Sequence, residues 1–489
     1  MTNWESVNNM SEQDFETLLE DNLSDIPPED IVREVTPWRK AMNRVLVGMA
    51  LCAITLNFWC LDYIMPAIGT TLLILGFRTL RRDNPWFKTC FITTLLRAAY
   101  FFPLLVLNST AFHSKISSAS YSPIITAFNL LLIFISLFCL WQGLRSVQIK
   151  AGLPPKAGSA AALILWYVLM CLLALFQYSG LIIAGLMIIA YIFIIRNLWK
   201  ISRELDEAGY SVQAAPNKVS DRFIKLSLLT AVFLGCAVGF TFFSSYTMEW
   251  TEVAAEKAGA DKVDEKIETI EVHLLELGFP ESALDDISED DILACENAIQ
   301  VVVDMEDEDN LRITGIGVEI AGERESWVIF HHFLWTDNPK FYGTECIQLW
   351  PSDRLEGWDM SSDVSGQVLY DKGEKTFSSP YYFLGPKTFT TNSFLMGNQT
   401  STDIFAAFSM PRHGENQRGY LSYTLVELDD GWIIDSWFNY THQRSWLQYP
   451  AMTALDKRMT SSWNEDGAFI TVQDALQFYP TEEGIEMIS

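Results

Sequence analysis

Few side chains in this 489-residue sequence are placed to do chemistry inside a membrane. Arg97 stands within the apolar run FITTLLRAAYFFPLL, and a charge there is costly, so it usually faces a bundle interior or water. One hypothesis is that Arg97 serves a transport site. The alternative is that it reaches towards the interface, or bonds backbone carbonyls and residues such as Asn57 or Gln177. Asp62 is the acidic candidate nearest to it, but it falls at a turn between two predicted spans.

Histidines and acidic residues could bind a metal, but their spacing argues against it. His331 and His332 are adjacent, and neighbouring residues on a strand point to opposite faces, so they cannot chelate one ion together. The acidic run 304–310, DMEDEDN, lacks the glycine of an EF-hand loop and is more typical of a solvated hairpin tip. The sequence therefore predicts no metal site and no cofactor.

Cys295 and Cys346 are the two cysteines of the C-terminal half. A disulfide between them is one expectation, because such bridges form outside the cell. Free buried thiols are the alternative, because unpaired cysteine behaves as a small apolar residue.

Motifs of the common enzyme classes are missing from the sequence. It contains no GxxxxGK[ST] loop, no kinase signature, no G-x-S-x-G and no HExxH. Acidic residues are so abundant that no glycosidase pair can be chosen. We therefore assign no catalytic residue, and an enzyme is the less favoured class.

The net charge of −27 hides three unlike regions. Residues 1–36 carry ten acids and one base, residues 37–248 carry six acids and eighteen bases, and residues 249–489 carry 45 acids and fifteen bases. Such asymmetry indicates parts that live in different surroundings. The acidic exterior disfavours nucleic acid as a partner, because phosphate contacts need lysine and arginine.

Five apolar stretches predict a polytopic α-helical membrane bundle of about seven spans, with the lipid bilayer as its surroundings. Stretches of 33 and 37 residues are too long for one span, and we interpret each as a tight pair of helices. The predicted spans are about 45–60, 61–77, 88–107, 121–141, 160–177, 180–195 and 226–248. The start of the sequence has no basic region before an early apolar core, so we expect no cleaved signal peptide.

Lysine and arginine in the loops predict the orientation, because they favour the cytoplasmic side. With the N-terminus inside, sixteen bases lie in cytoplasmic segments and Lys115 alone lies outside. An odd number of spans, seven, places the two ends of the chain on opposite sides of the membrane. Residues 249–489 are therefore expected outside the cell, with the spans in the plasma membrane.

The cytoplasmic arm, residues 1–44, is acidic and contains a helix pattern in SEQDFETLLED. Phe15, Leu18 and Leu19 share one face of that helix. They could dock on a cytosolic regulatory protein, or the arm could pack beneath its own basic loops.

The outer part divides into a helical stalk, 249–299, and a β-rich domain, 300–489. Together they predict an extracytoplasmic α+β fold with mainly antiparallel strands, arranged as a meander or a sandwich. Hairpins are predicted with turns near Gly322, near Gly373 and at Asp430-Gly431. Nine tryptophans lie in this part. They could stack on an outer ligand such as a glycan or a peptide, or they could fill the core.

This layout favours a sensor or regulator that couples an outer β-rich binding domain to the short cytoplasmic arm. A permease or transporter subunit that uses Arg97 is the second hypothesis. A membrane-tethered outer enzyme is the third, for which residues 251–489 should be active without the spans.

Overall fold

The computed structural model describes residues 37–54, 60–113, 122–176, 180–212, 218–253, 262–352, 356–393, 397–428, 433–460, 465–481 and 484–488. It divides into two compact units. The helical unit comprises the described residues of Met1–Leu105 and Ala119–Phe233, and the β unit those of Val106–Ser118 and Leu234–Ser489.

Seven long helices make up most of the helical unit, and four short helices accompany the strands. The long helices are α1 Pro37–Ala53, α2 Leu61–Leu80, α3 Pro85–Leu107, α4 Ser122–Lys150, α5 Gly158–Leu175, α6 Leu181–Glu207 and α7 Asp221–Phe242. The short helices are α8 Lys262–Glu276, α9 Glu281–Leu284, α10 Glu289–Ala294 and α11 Ala454–Thr460.

Six of the described helices, α2 to α7, are long and apolar enough to cross a membrane. The prediction of a membrane bundle is confirmed at this level. The remaining helix, α1, has 17 residues and begins with the charged sequence PWRK, so it falls short of the roughly 20 apolar residues of an ordinary span.

Helices α1 and α2 pack with their backbones in contact. A Cβ atom on Gly48 would lie 2.7 Å from the carbonyl oxygen of Gly69, and one on Gly76 would lie 2.8 Å from that of Ala41. Gly48, late in α1, meets Gly69, early in α2, whereas Ala41, early in α1, meets Gly76, late in α2. The two helices therefore run antiparallel. Small residues at an interface let helix backbones approach this closely.

The described residues of the β unit form fifteen strands. They are β1 Thr251–Glu252, β2 Ala298–Glu308, β3 Leu311–Ile320, β4 Ser326–Trp335, β5 Glu345–Trp350, β6 Trp358–Met360, β7 Ser365–Lys372, β8 Lys375–Pro380, β9 Phe383–Ser393, β10 Gly397–Phe408, β11 Glu415–Glu427, β12 Ile434–Gln443, β13 Glu465–Asp466, β14 Phe469–Thr481 and β15 Gly484–Met487. One sheet has the order β1-β8-β7-β11-β4-β3-β2, with β6 beside β11. The other has the order β13-β14-β12-β5-β10-β9, with β15 beside β14. Every strand pair is antiparallel.

The two sheets pack face to face as a sandwich. Their shared core includes Trp327 and Phe333 from one sheet and Phe438 and Phe478 from the other. Gly315 of β3 permits close approach, because a Cβ there would lie 2.8 Å from the Cβ of Leu476 on β14. Of the two architectures that the sequence allows, the structure has the sandwich.

The far faces of both sheets are also covered. Helices α8 to α10 bury residues such as Ile267 and Ile292 against Phe330 and Val328 of the first sheet. Helix α11 packs Ala454 on the second sheet. Strands β3 and β4 are therefore buried on both faces, which explains why they are almost continuously apolar.

The hairpin predictions have different outcomes. Strands β3 and β4 pair around Gly322, and β7 and β8 pair around Gly373, so these two hairpins are confirmed. The prediction at Asp430-Gly431 is wrong in its pairing, although both strands exist. Strand β11 belongs to the first sheet and β12 to the second, and residues 429–432 between them lie outside the described residues.

Candidate functional site

Arg97 lies on α3 and lines a partly open cavity of about 230 Å³ in the helical unit. Its Nε donates a hydrogen bond to Oδ1 of Asn129 on α4 at 3.2 Å. Trp166 and Tyr167 of α5 and Ser136 of α4 form other parts of the wall. A guanidinium offers five N–H donors in a fixed fork, so this arrangement suits an anion held against aromatic rings.

The cavity has room for more than water. An engineered protein cavity of roughly 150 Å³ takes up benzene. The Arg97 cavity, at about 230 Å³, could therefore hold a small organic anion.

Asp62 does not take part in this site. It lies in the first turn of α2, and it is not among the residues that line the cavity. No ion pair joins it to Arg97 in the described part of the chain. Asn129 is the partner that sequence reasoning missed, and the available signal was a single amide in the apolar run SPIITAFNLLLIF.

Other residues singled out in the sequence lie outside the described residues. They are Phe15, Leu18 and Leu19 of the acidic arm, and Asn57 and Gln177 near Arg97 in the predicted bundle. The predictions made for them stay predictions.

The start of α3 is held by a polar cluster at the ends of several helices. Asn84 caps the helix by accepting a hydrogen bond from the Phe87 amide at 2.9 Å. Nζ of Lys150, at the end of α4, donates to the Asp83 carbonyl at 2.7 Å and lies 3.5 Å from its carboxylate. The Tyr210 hydroxyl donates to the same carboxylate, and burial together with this bond raises the pKa of Tyr210.

The end of α3 belongs to the β unit, where it packs against the end of α7. A Cβ atom on Gly235 would lie 2.6 Å from Cγ2 of Val106. A Cβ on Gly239 would overlap the hydroxyl of Ser109. Larger residues at 235 and 239 would therefore push the two helix ends apart.

Backbone hydrogen bonds continue this attachment into the loops of the β unit. The Ala111 amide donates to the Phe243 carbonyl at 2.8 Å, and the Ala451 amide donates to the Asn108 carbonyl at 2.6 Å. The segment after α3 is thus tied both to the exit of α7 and to a loop of the sandwich.

The chain that leaves α7 enters the sandwich directly. The Tyr246 amide donates to Oγ of Ser409 at 3.0 Å, and its ring stacks on Tyr382 with centroids 4.1 Å apart. Met248 and Trp250 then pack against the sandwich core.

A buried polar network fixes the helices α9 and α10 on the first sheet. The Asp286 carboxylate, 2% exposed, contacts Nε2 of His332 at 2.8 Å and accepts from Nε of Arg418 at 2.7 Å. Arg418 also donates to Asp371 at 2.9 Å. These charges are paired, as buried charges must be, and the network anchors the helices to strands β4, β7 and β11.

His331 points the other way, into the sandwich core. Its Nε2 lies 2.6 Å from Oγ of Ser436, which lies 2.6 Å from the hydroxyl of Tyr423, and its ring stacks on Phe438. Burial lowers the pKa of His331 to about 3, so the ring is neutral. The two adjacent histidines face opposite sides of the sheet, as the alternation predicts. Within the described residues, no group of three or more His, Cys, Asp or Glu side chains could hold a metal.

Of the two alternatives for Cys295 and Cys346, the structure has the free thiols. Cys295 and Cys346 are both buried free thiols. Cys295 packs beneath α8 to α10 on the first sheet, whereas Cys346 packs beneath α11 on the second. The sandwich core separates these two positions, so each thiol acts as a small apolar residue.

The tryptophans divide between core and surface. Trp327, Trp335 and Trp358 are buried. Trp350 and Trp437 are half-buried neighbours on adjacent strands of the second sheet, with ring centroids 6.3 Å apart. This pair is one aromatic surface that could stack on a flat ligand, and the Arg458 guanidinium lies 6.0 Å from the centre of the Trp350 ring. Trp446, 49% exposed, is another.

Comparison with known proteins gives little guidance. No family model matches the chain, and no curated protein matches it. Among solved structures, it is similar to one titled "Pore forming protein", at 8% identity and a TM-score of 0.21 over 39% of this chain and 94% of the other. It is also similar to Clostridium perfringens delta-toxin, at 8% identity and a TM-score of 0.21 over 39% of this chain and 93% of the toxin chain. The membrane-inserted Clostridium perfringens NetB toxin matches at 8% identity and a TM-score of 0.18 over 38% of this chain and 98% of its own. TM-scores this low do not establish a shared fold.

Proposed function

We propose that this protein is a membrane sensor or regulator in which the β unit conveys its state through α3 and α7. The observation that carries the proposal is the attachment of both helix ends within the β unit, by the contacts at Gly235 and Gly239 and by the backbone bonds of Ala111 and Ala451. A domain tethered by one chain could turn freely, whereas one that grips two helices would transmit a shift to both.

The orientation follows from the lysine and arginine bias of the loops. The basic helix ends lie in the cytoplasm, α1 crosses as a short seventh span, and the β unit lies outside the cell. The acidic arm of residues 1–44 and the polar cluster at the start of α3 then form the cytoplasmic output.

Helix α3 is the element suited to carry the signal. It begins at the cluster of Asp83, Asn84 and Lys150, passes Arg97 and ends beside α7 in the β unit. Leu107 lies ten residues beyond Arg97, about 15 Å along the helix. A small displacement of the end of α3 would therefore reach the Arg97 cavity and the cytoplasmic cluster together.

The outer ligand would bind at the half-buried pair Trp350 and Trp437. Two neighbouring aromatic faces suit a sugar ring or an aromatic peptide side chain. A glycan or a peptide is the class of ligand we propose.

A set of variants in the native host tests the sensor proposal. Gly239→Leu separates α3 from α7, and Gly185→Leu is its matched control, because a Cβ on Gly185 meets nothing within 4 Å. Transcript profiles would be compared with those of the gene deletion and of a chain that lacks residues 1–36. We expect Gly239→Leu and the truncated chain to reproduce the deletion profile, and Gly185→Leu to match the wild type.

One check makes that comparison decisive. Protease sensitivity of the β unit on intact cells must be equal in Gly239→Leu and Gly185→Leu, which shows that both variants are inserted and folded. A wild-type profile for Gly239→Leu and for the truncated chain would overturn the sensor proposal.

The Arg97 cavity favours a second candidate function, a permease or transporter subunit for a small anion. Arg97→Leu would then abolish uptake, while Arg97→Lys would keep part of it, because lysine retains the charge without the fork. A sensor would keep its transcript profile in Arg97→Leu. Uptake of labelled small carboxylates by cells that carry each variant separates the two functions.

A further inference from the structure

A second cavity of the helical unit combines a basic end with an apolar wall. It has a volume of about 780 Å³ and lies between α2, α3 and the start of α7. Arg78, Arg81, Arg82 and Lys218 line one part of it. We call it the basic groove.

The apolar wall of the basic groove comes from residues of α3 and α7, which include Phe91, Leu95, Phe102, Ile224 and Leu228. Leu95 is 41% exposed although it lies in the apolar middle of α3. Exposed apolar side chains of this kind are unfavourable in water, but they are typical of a surface that contacts lipid.

The charges of the basic groove are only partly neutralised by the protein. Arg78 is committed, because it donates to the Val219 carbonyl and lies 3.5 Å from the Asp221 carboxylate, which Arg44 also binds at 2.8 Å. Arg81 lies over the ring of Phe91 at 5.1 Å.

In the described part of the chain, no acidic residue pairs with Arg81, Arg82 or Lys218. Their joint positive charge is therefore available to an anion that is not among the described residues.

An apolar groove of about 350 Å³ continues from the basic groove between α2 and α7. Phe102 and Leu228 line both, and Ile68, Leu72 and Leu229 line the second, together with one base, Lys225. The two together offer a cluster of cations at one end and a mainly apolar groove at the other. This is the pattern of an amphiphile with an anionic head and a hydrocarbon tail.

We propose that the basic groove binds an anionic phospholipid, with the phosphate among Arg81, Arg82 and Lys218 and one acyl chain along the apolar groove. Basic pockets between membrane helices hold anionic head groups by charge attraction, and buried methylene groups add affinity along the tail. The apolar continuation is what distinguishes this ligand from free phosphate. The site stands independently of the proposed sensor function.

Native mass spectrometry of the full chain in detergent tests the site. The protein would be titrated separately with phosphatidylglycerol, phosphatidylcholine and inorganic phosphate. We expect one tight phosphatidylglycerol site that Arg81→Gln/Arg82→Gln weakens about tenfold or more. Lys156→Gln/Arg222→Gln is the matched control, because it removes two exposed bases that do not line the groove, and it should leave binding unchanged.

A further variant separates a lipid from a free anion. Leu228→Trp fills the shared part of both grooves, so it should weaken phosphatidylglycerol binding and leave any phosphate binding unaltered. Equal affinity for phosphatidylglycerol and phosphatidylcholine would overturn the proposal. So would phosphate binding as tight as lipid binding, or a lipid site that is found only after residues 1–36 are removed.

All variants must first show the wild-type elution volume and helical circular dichroism. If Leu228→Trp fails this check, Leu229→Trp is used in its place, since Leu229 lines the apolar groove alone. Arg82→Gln alone, at an exposed position without the ring contact of Arg81, should weaken phosphatidylglycerol binding in the same direction.

Discussion

Arg97 and His331 show how strongly the environment decides what a polar side chain does. Arg97 opens onto a cavity and has an amide partner, Asn129, so its charge can meet a ligand. His331 is fully enclosed by the sandwich and is held neutral between Ser436 and Phe438. The first is a candidate for chemistry, whereas the second is a structural residue with a cost at acid pH.

Acid should destabilise the sandwich through His331. Burial lowers its pKa from 6.5 to about 3, so between these values the unfolded chain binds a proton that the folded chain does not. The stability that neutral His331 allows is present above pH 6.5 and is lost as the pH falls below it. We expect a loss of about 1.5 kcal/mol between pH 6.5 and 5 that is missing in His331→Gln.

Hydrogen exchange of the β4 and β12 amides in the full chain, corrected for the intrinsic effect of pH, measures this difference. The wild type and His331→Gln share all other titrating groups, so their difference isolates His331. Parallel pH profiles for the two proteins would contradict the assignment.

At the scale of elements, small residues decide which surfaces meet. Gly48 and Gly69 bring α1 and α2 into backbone contact, and Gly315 lets β3 approach β14 across the sandwich. The sequence predicts the pairing of α1 and α2, because their apolar stretch is too long for one span. It does not predict the contact across the sandwich, because residues 315 and 476 are far apart in the chain.

The seam between α1 and α2 should be sensitive to volume. In Gly48→Leu the new side chain meets the Gly69 carbonyl and Leu73, whereas in Gly185→Leu it meets open space. Overpacking of this kind costs about 1–3 kcal/mol, so we expect Gly48→Leu to lower the melting temperature by several degrees. Scanning fluorimetry in detergent compares the two, and equal melting temperatures would show that α1 is not packed on α2 as described.

At the scale of the whole molecule, the open question of topology is whether α1 crosses the membrane. Six helices qualify by length and composition, and α1 has 17 residues. Seven crossings place the start of α1 and the β unit on opposite sides, whereas six place them on the same side.

Cysteine labelling of intact cells distinguishes these topologies. We expect Glu374→Cys, in the exposed turn between β7 and β8, to react with an impermeant maleimide from outside. Lys40→Cys and Lys156→Cys should react only after the membrane is opened. Reaction of Lys40→Cys on intact cells, together with Glu374→Cys, would show that α1 does not cross. The parent chain gives the background, since its described cysteines are buried or half-buried.

The sequence by itself determined the membrane helices, the α+β character of the C-terminal half and most local structure. The hairpins at Gly322 and Gly373, for example, depend on residues close in the chain. Hydropathy over about 20 residues and turn chemistry over four are local properties, and a sequence records them directly.

Only the tertiary structure decided which strands became neighbours and which polar groups met. Asp430-Gly431 predicts a hairpin, yet β11 and β12 lie in different sheets. Strand β11 pairs with β4 and β7, whereas β12 pairs with β5 and β14. Arg97 met Asn129 instead of Asp62, and the two cysteines were set on opposite faces of the sandwich. These outcomes depend on burying apolar faces between segments that are distant in the chain. No single stretch of sequence determines which of those segments will pack together.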